Sequence, residues 1–132
     1  MSILKVFNEQ LLEFVDDLLR LFPDDPDLKA SKVAVRALKK VNPKSLLTNW
    51  QYYVTDRYKK EIYNGDIEFF INKDYKGDID DVEDKGGAMM AIERLRPALL
   101  KIGDENKGKT TKYLQNLTKL SELFSEKLRF VS

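Results

Sequence analysis

From Leu4 to Val131 the apolar residues return at steps of three and four, and nowhere does the chain sustain the strict alternation of a half-buried strand. That period restricts the fold to packed helices. Phe7, Leu11, Phe14, Leu18 and Leu21, with Leu4, Val15 and Phe22 beside them, make one apolar side; Glu9, Glu13, Asp16 and Asp17 make the other. The pattern predicts an amphipathic helix over residues 3–21, stopped by Pro23. Asp25-Pro26 then pairs a capping carboxylate with a proline suited to the first helical position. The helix it opens runs to about Lys40, with Ala34, Val35, Leu38 and Val41 toward the core and Lys29, Lys32, Arg36 and Lys39 on the other side.

Asn42-Pro43 repeats the cap-and-proline signal and predicts a third helix carrying Leu46, Leu47, Trp50, Val54, Tyr58 and Ile62, closed by Asn64-Gly65. Ile67 to Ile71 supplies one or two further helical turns. Residues 72–87 read as an acidic, glycine-punctuated loop. Met89, Ile92, Leu95, Leu99 and Ile102 restore the helical step, and Pro97 inside that run predicts a kink or break. A last helix starts between Asp104 and Thr110 with Tyr113, Leu117, Leu120, Phe124, Leu128 and Val131 along one side. The expectation is one all-α domain over residues 1–132, of five to seven helices, with Phe14, Trp50, Leu117 and Phe124 largely buried.

The 132 residues contain no histidine and no cysteine. Disulfides are excluded, the commonest general base and metal ligands are missing, and a reducing compartment is favoured. No apolar run approaches the ~20 residues that cross a bilayer, and the N-terminal residues lack the apolar core of a signal peptide. The charges fall in blocks: residues 1–28 carry net −5, 29–60 net +8, 61–84 net −7 and 85–132 net +5, for a total of +1. Blocks of this kind make surfaces for partners.

Three motifs carry possible chemistry. Asn72 to Glu83 can be registered on a calcium loop, with Gly77 at its sixth position, Asp74, Asp80 and Glu83 as oxygen donors and Ile79 at the apolar eighth. Asn72 brings a neutral amide to the first position and Lys76 a positive charge to the fifth, so no tight metal site is expected. Gly103 to Thr110 formally satisfies G-x-x-x-x-G-K-T. A phosphate loop hangs from a buried parallel strand, and this chain offers none; its amides could wrap an anion only locally. Residues 29–60 interleave lysine and arginine with Trp50, Tyr52, Tyr53 and Tyr58, a composition able to track a nucleic-acid backbone and stack on bases. The same cations can instead meet the acidic side of the first helix or the 61–84 segment.

Phe7-Asn8-Glu9-Gln10-Leu11-Leu12-Glu13-Phe14, the run from Leu21 to Lys29, Asp66 to Ile71, and Glu105-Asn106-Lys107 resemble small helical proteins encoded by large nucleocytoplasmic DNA viruses, the giant viruses of algae and protists. The resemblance covers most of the chain and carries no catalytic signature, so no site residues follow from it. It implies a setting: the viral factory, the host cytoplasm or the virion. Together these features predict a non-enzymatic, cofactor-free interaction or structural module without membrane insertion. Its partner-binding face is Lys29, Lys32, Arg36 and Lys39, turned toward a protein partner or a second copy. An accessory nucleic-acid-associated protein is the alternative, and a calcium- or phosphate-dependent enzyme is the third class.

Overall fold

The computed structural model describes residues 2–68 and 87–131, and over them the protein is all-α. The acidic motif at 72–83 and the side chains of Met89, Leu128 and Val131 lie outside the described residues. Among the described residues, seven α-helical segments and one π-helical turn are present. They are α1 (Ile3–Leu21), α2 (Pro26–Val41), α3 (Ser45–Trp50), a π turn (Gln51–Thr55), α4 (Asp56–Tyr63), α5 (Ala88–Glu93), α6 (Arg96–Leu99) and α7 (Asp104–Val131).

The helix starts follow local chemistry. The Ser2 hydroxyl accepts the Lys5 N–H at 3.2 Å, and Asp25 Oδ1 accepts the N–H groups of Asp27 and Leu28 at 2.9 and 3.2 Å. Asn42 does not cap a third helix, as its sequence context predicts. It closes α2, its N–H donating to the Leu38 carbonyl at 2.8 Å, while its own carbonyl accepts the Ser45 N–H at 3.1 Å. Pro43 therefore sits inside that turn, and α3 begins two residues beyond it. Gly65, at φ +82°, supplies the left-handed residue that ends α4. The break expected near Pro97 falls at Arg94-Leu95, and Pro97 occupies the first turn of α6, where a missing N–H costs little.

α3, the π turn and α4 are continuous in sequence and together keep Leu46, Trp50, Val54, Tyr58 and Ile62 buried. A strict four-residue step drifts by about 40° per step around a helix of 3.6 residues per turn. The π turn, with its i→i+5 bonding, lies in the middle of the run and offsets part of that drift. These helices pack on α7, α1 packs between α7 and α2, and α2 packs on α5. Phe7 meets Trp50 edge-on at 6.1 Å, and Phe14 stacks on Tyr113 at 4.9 Å.

Three residues expected in the core are not there. Leu21 and Val41, each the last residue of its helix, are exposed, and Phe124 is only half-buried, packed against the margin of the core. Polar residues take core places instead: Asn8, Ser31, Thr55, Thr110, Thr118 and Ser121 are buried.

Candidate functional site

The inner side of α2 consists of Leu28, Ser31, Val35 and Leu38, all buried, and the Ser31 hydroxyl donates to the Ala91 carbonyl of α5 at 2.8 Å. With that side fixed against the core, 100° per residue turns Lys29, Val33, Arg36, Ala37 and Lys40 outward, and all five are exposed. Val33 retains 69% of its accessible surface and Val41 79%, high values for aliphatic residues.

The four cations expected on this helix divide into two kinds. Lys29 and Arg36 lie on the outer side; Lys32 and Lys39 are half-buried at its margin. Lys32 Nζ pairs with Asp16 Oδ1 of α1 at 2.8 Å, so one cation of the set is spent within the molecule. No ion pair among the described residues engages Lys29, Arg36, Lys39 or Lys40. Lys40, Val33 and Ala37 join the outer side without being marked by the periodicity, and Val41, expected toward the core, is exposed. The signal available was that α2 carries apolar residues at more positions than one buried side can use.

The rest of the basic segment behaves differently. Of Trp50, Tyr52, Tyr53 and Tyr58, only Tyr52 is exposed, at 58%. Trp50 Nε1 donates to Thr118 Oγ1 at 3.2 Å, and the Arg57 guanidinium lies 5.5 Å from the Tyr53 ring centre and 6.0 Å from that of Tyr52. Lys59 pairs with Glu122 of α7 at 3.4 Å, and Tyr63 donates to the same carboxylate. A row of aromatics for stacking bases is therefore not assembled on this segment.

Gly103 to Thr110 forms no loop. Asp104 opens α7, and Gly108, Lys109 and Thr110 are helical, so backbone amides past the first turn are committed to the helix rather than turned toward a phosphate. Lys109 instead lines a cleft of about 140 Å³ between α1 and α7, together with Phe14, Asp17, Arg20, Asn106 and Tyr113. Lys109 Nζ lies 3.1 Å from Asp17 Oδ2, Arg20 pairs with Oδ1, and the Tyr113 hydroxyl donates to Asp17 and stands 3.4 Å from Glu13. Burial presses the Asp17 carboxyl upward, but hydrogen bonds from Tyr113 and Lys109 and the charges of Lys109 and Arg20 outweigh it and hold the group below the ordinary carboxylate value. Burial, then the Asp17 and Glu13 carboxylates, raise Tyr113 well above an ordinary phenol. A carboxylate with three donors and a depressed proton affinity is a poor general base; the cluster fastens α1 to α7.

No group of three or more acidic side chains that could hold a metal occurs among the described residues, and no helix among them is long and apolar enough to cross a membrane. Compared with known protein families, curated proteins and solved structures, the chain matches none.

Proposed function

We propose that this protein is a non-enzymatic interaction module that engages an acidic protein surface through the outer side of α2. Its setting, on the resemblance drawn from the Phe7–Phe14 and Leu21–Lys29 stretches, is a virus-encoded role in the virion or replication compartment. One observation carries the binding face: Lys29, Arg36 and Lys40 are exposed beside Val33 and Val41, on a helix whose opposite side already fills the core. Exposed cations next to exposed aliphatics suit a protein surface, which offers carboxylates and apolar area together. Burial of Trp50, Tyr53 and Tyr58 argues against the nucleic-acid alternative.

The test is capture from infected cells with the parent protein and with Lys29→Glu/Arg36→Glu, both confirmed helical by circular dichroism. Lys32 is left in place, because a glutamate there would face Asp16 and disturb the contact of α2 with α1. The expected result is a protein partner retained by the parent at low salt, weakened by added salt and lost in the variant. Oligonucleotide binding by the parent tighter than the non-specific range of about 10⁻⁴–10⁻⁶ M, abolished in the variant, would overturn the proposal.

A further inference from the structure

We infer that the element seated on α2 is an α-helix of a partner protein, bearing an aliphatic ridge flanked by carboxylates. The inference rests on the reading of α2 as an acidic-protein-binding face and adds the shape and chemistry of what binds. On an α-helix, residues four apart form ridges, and helices pack by setting the ridge of one into the groove between two ridges of the other. The exposed side of α2 holds two such neighbouring ridges of contrasting kind. Lys29, Val33, Ala37 and Val41 form one, apolar after its first residue; the exposed Arg36 and Lys40 form the other, which continues from Lys32, half-buried and paired with Asp16. The groove between them spans from Lys29 to Val41, about 18 Å at 1.5 Å per residue, which accommodates roughly three turns of a partner helix. Ala37, exposed at the middle of the apolar ridge, has only a methyl group and lets a crossing backbone approach closely.

Charge settles which helix fits. No acidic residue occurs on α2 after Asp27, so carboxylates along one flank of the incoming ridge would meet Arg36 and Lys40, and one at the start of the other flank would meet Lys29, without a competing charge on the same helix. A symmetric pairing of α2 with α2 of a second copy would set these cations against each other, which disfavours a homodimer through this face. A bilayer surface is also a poor fit, because the exposed apolar side chains here are valine and alanine rather than the Trp, Phe and Leu that enter the acyl boundary.

The probe is a synthetic amphipathic helical peptide with leucines four apart flanked by glutamates, and its counterpart with every glutamate replaced by lysine. Binding to the full chain is read by fluorescence anisotropy. The acidic peptide is expected to bind and the basic one not, and Val33→Asp and Arg36→Glu are each expected to weaken binding about tenfold or more. Both positions are exposed, so unchanged thermal unfolding separates lost binding from lost folding. If Arg36→Glu weakens binding to an acidic protein while Val33→Asp and Val41→Ser do not, the helical occupant falls and the acidic-protein reading stands. Failure of the acidic peptide to bind, or equal binding of the basic one, overturns the inference. So does concentration-dependent self-association abolished by Val41→Ser, or sedimentation with anionic vesicles that needs the same residues.

Discussion

The two sides of α2 are built from similar residues set in different surroundings. Leu28, Val35 and Leu38 face inward and are buried, whereas Val33, Ala37 and Val41 face outward and are exposed. Polar groups differ in the same way: the inward Ser31 is fully buried and bonded to α5, while the outward Lys29, Arg36 and Lys40 remain at the surface. Hydrophobicity alone therefore does not say which side of a helix holds a fold together. The contacts on the first side do, and the second side keeps its aliphatic and cationic side chains exposed.

Leu28 carries the largest expected difference between the two sides. Truncating this fully buried residue to alanine is expected to lower unfolding free energy by about 2–5 kcal/mol in urea denaturation. A loss as small as that expected on the outer side would show that the inner side is not the structural one. Next comes Ser31→Ala, which removes the donor to the buried Ala91 carbonyl and is expected to cost about 1–3 kcal/mol in the same assay. Smallest is Val33→Ser/Val41→Ser, expected to stay within about 0.5 kcal/mol per site because neither side chain loses packing.

A second charged region, the Asp17–Tyr113 contact between α1 and α7, sharpens the contrast, because its charges are used for folding and so tie stability to pH. Asp17 is held below its unfolded value, so the unfolded chain takes up the proton first as pH falls. Its contribution is full above about pH 5 and is lost as pH drops through the depressed value. Tyr113 is raised, so the unfolded chain ionises first above about pH 10 and stability declines as pH rises. Asp17→Asn and Tyr113→Phe are each expected to flatten the matching limb of a stability–pH curve. Charge reversal on the outer side of α2 should flatten neither.

Much of this architecture is legible in the sequence where chemistry is local. Pro23 stops α1, Asp25-Pro26 opens α2 and Gly65 closes α4, because each signal acts on backbone groups within a few residues. What is not legible depends on distant partners. Asn42-Pro43 reads as a cap, but the same residues finish α2. Val41 continues an apolar period past the point where α2 has anything to pack against, and Phe124 packs only at the margin of the core. Thr55, Thr118 and Ser121 look like surface residues until their network is seen. The Ser121 hydroxyl donates to the Thr118 carbonyl at 2.7 Å, so its 2.6 Å contact with Thr55 has Thr55 as donor. The outer side of α2 was half legible: Lys29 and Arg36 stand where periodicity predicts, Lys32 turns to Asp16, and the aliphatic ridge beside them emerges only once the core is seen to have no place for it.

We propose that α2 folds through one side and binds through the other. Titrating the isotope-labelled protein with the glutamate-flanked helical peptide, and following backbone amide shifts by nuclear magnetic resonance, tests it most directly. Shifts are expected to concentrate at Lys29, Val33, Arg36, Ala37 and Lys40, to weaken with salt, and to leave the Trp50 and Thr118 amides in place. Shifts centred on the Asp17–Tyr113 cleft or on Tyr52, with α2 silent, would contradict it.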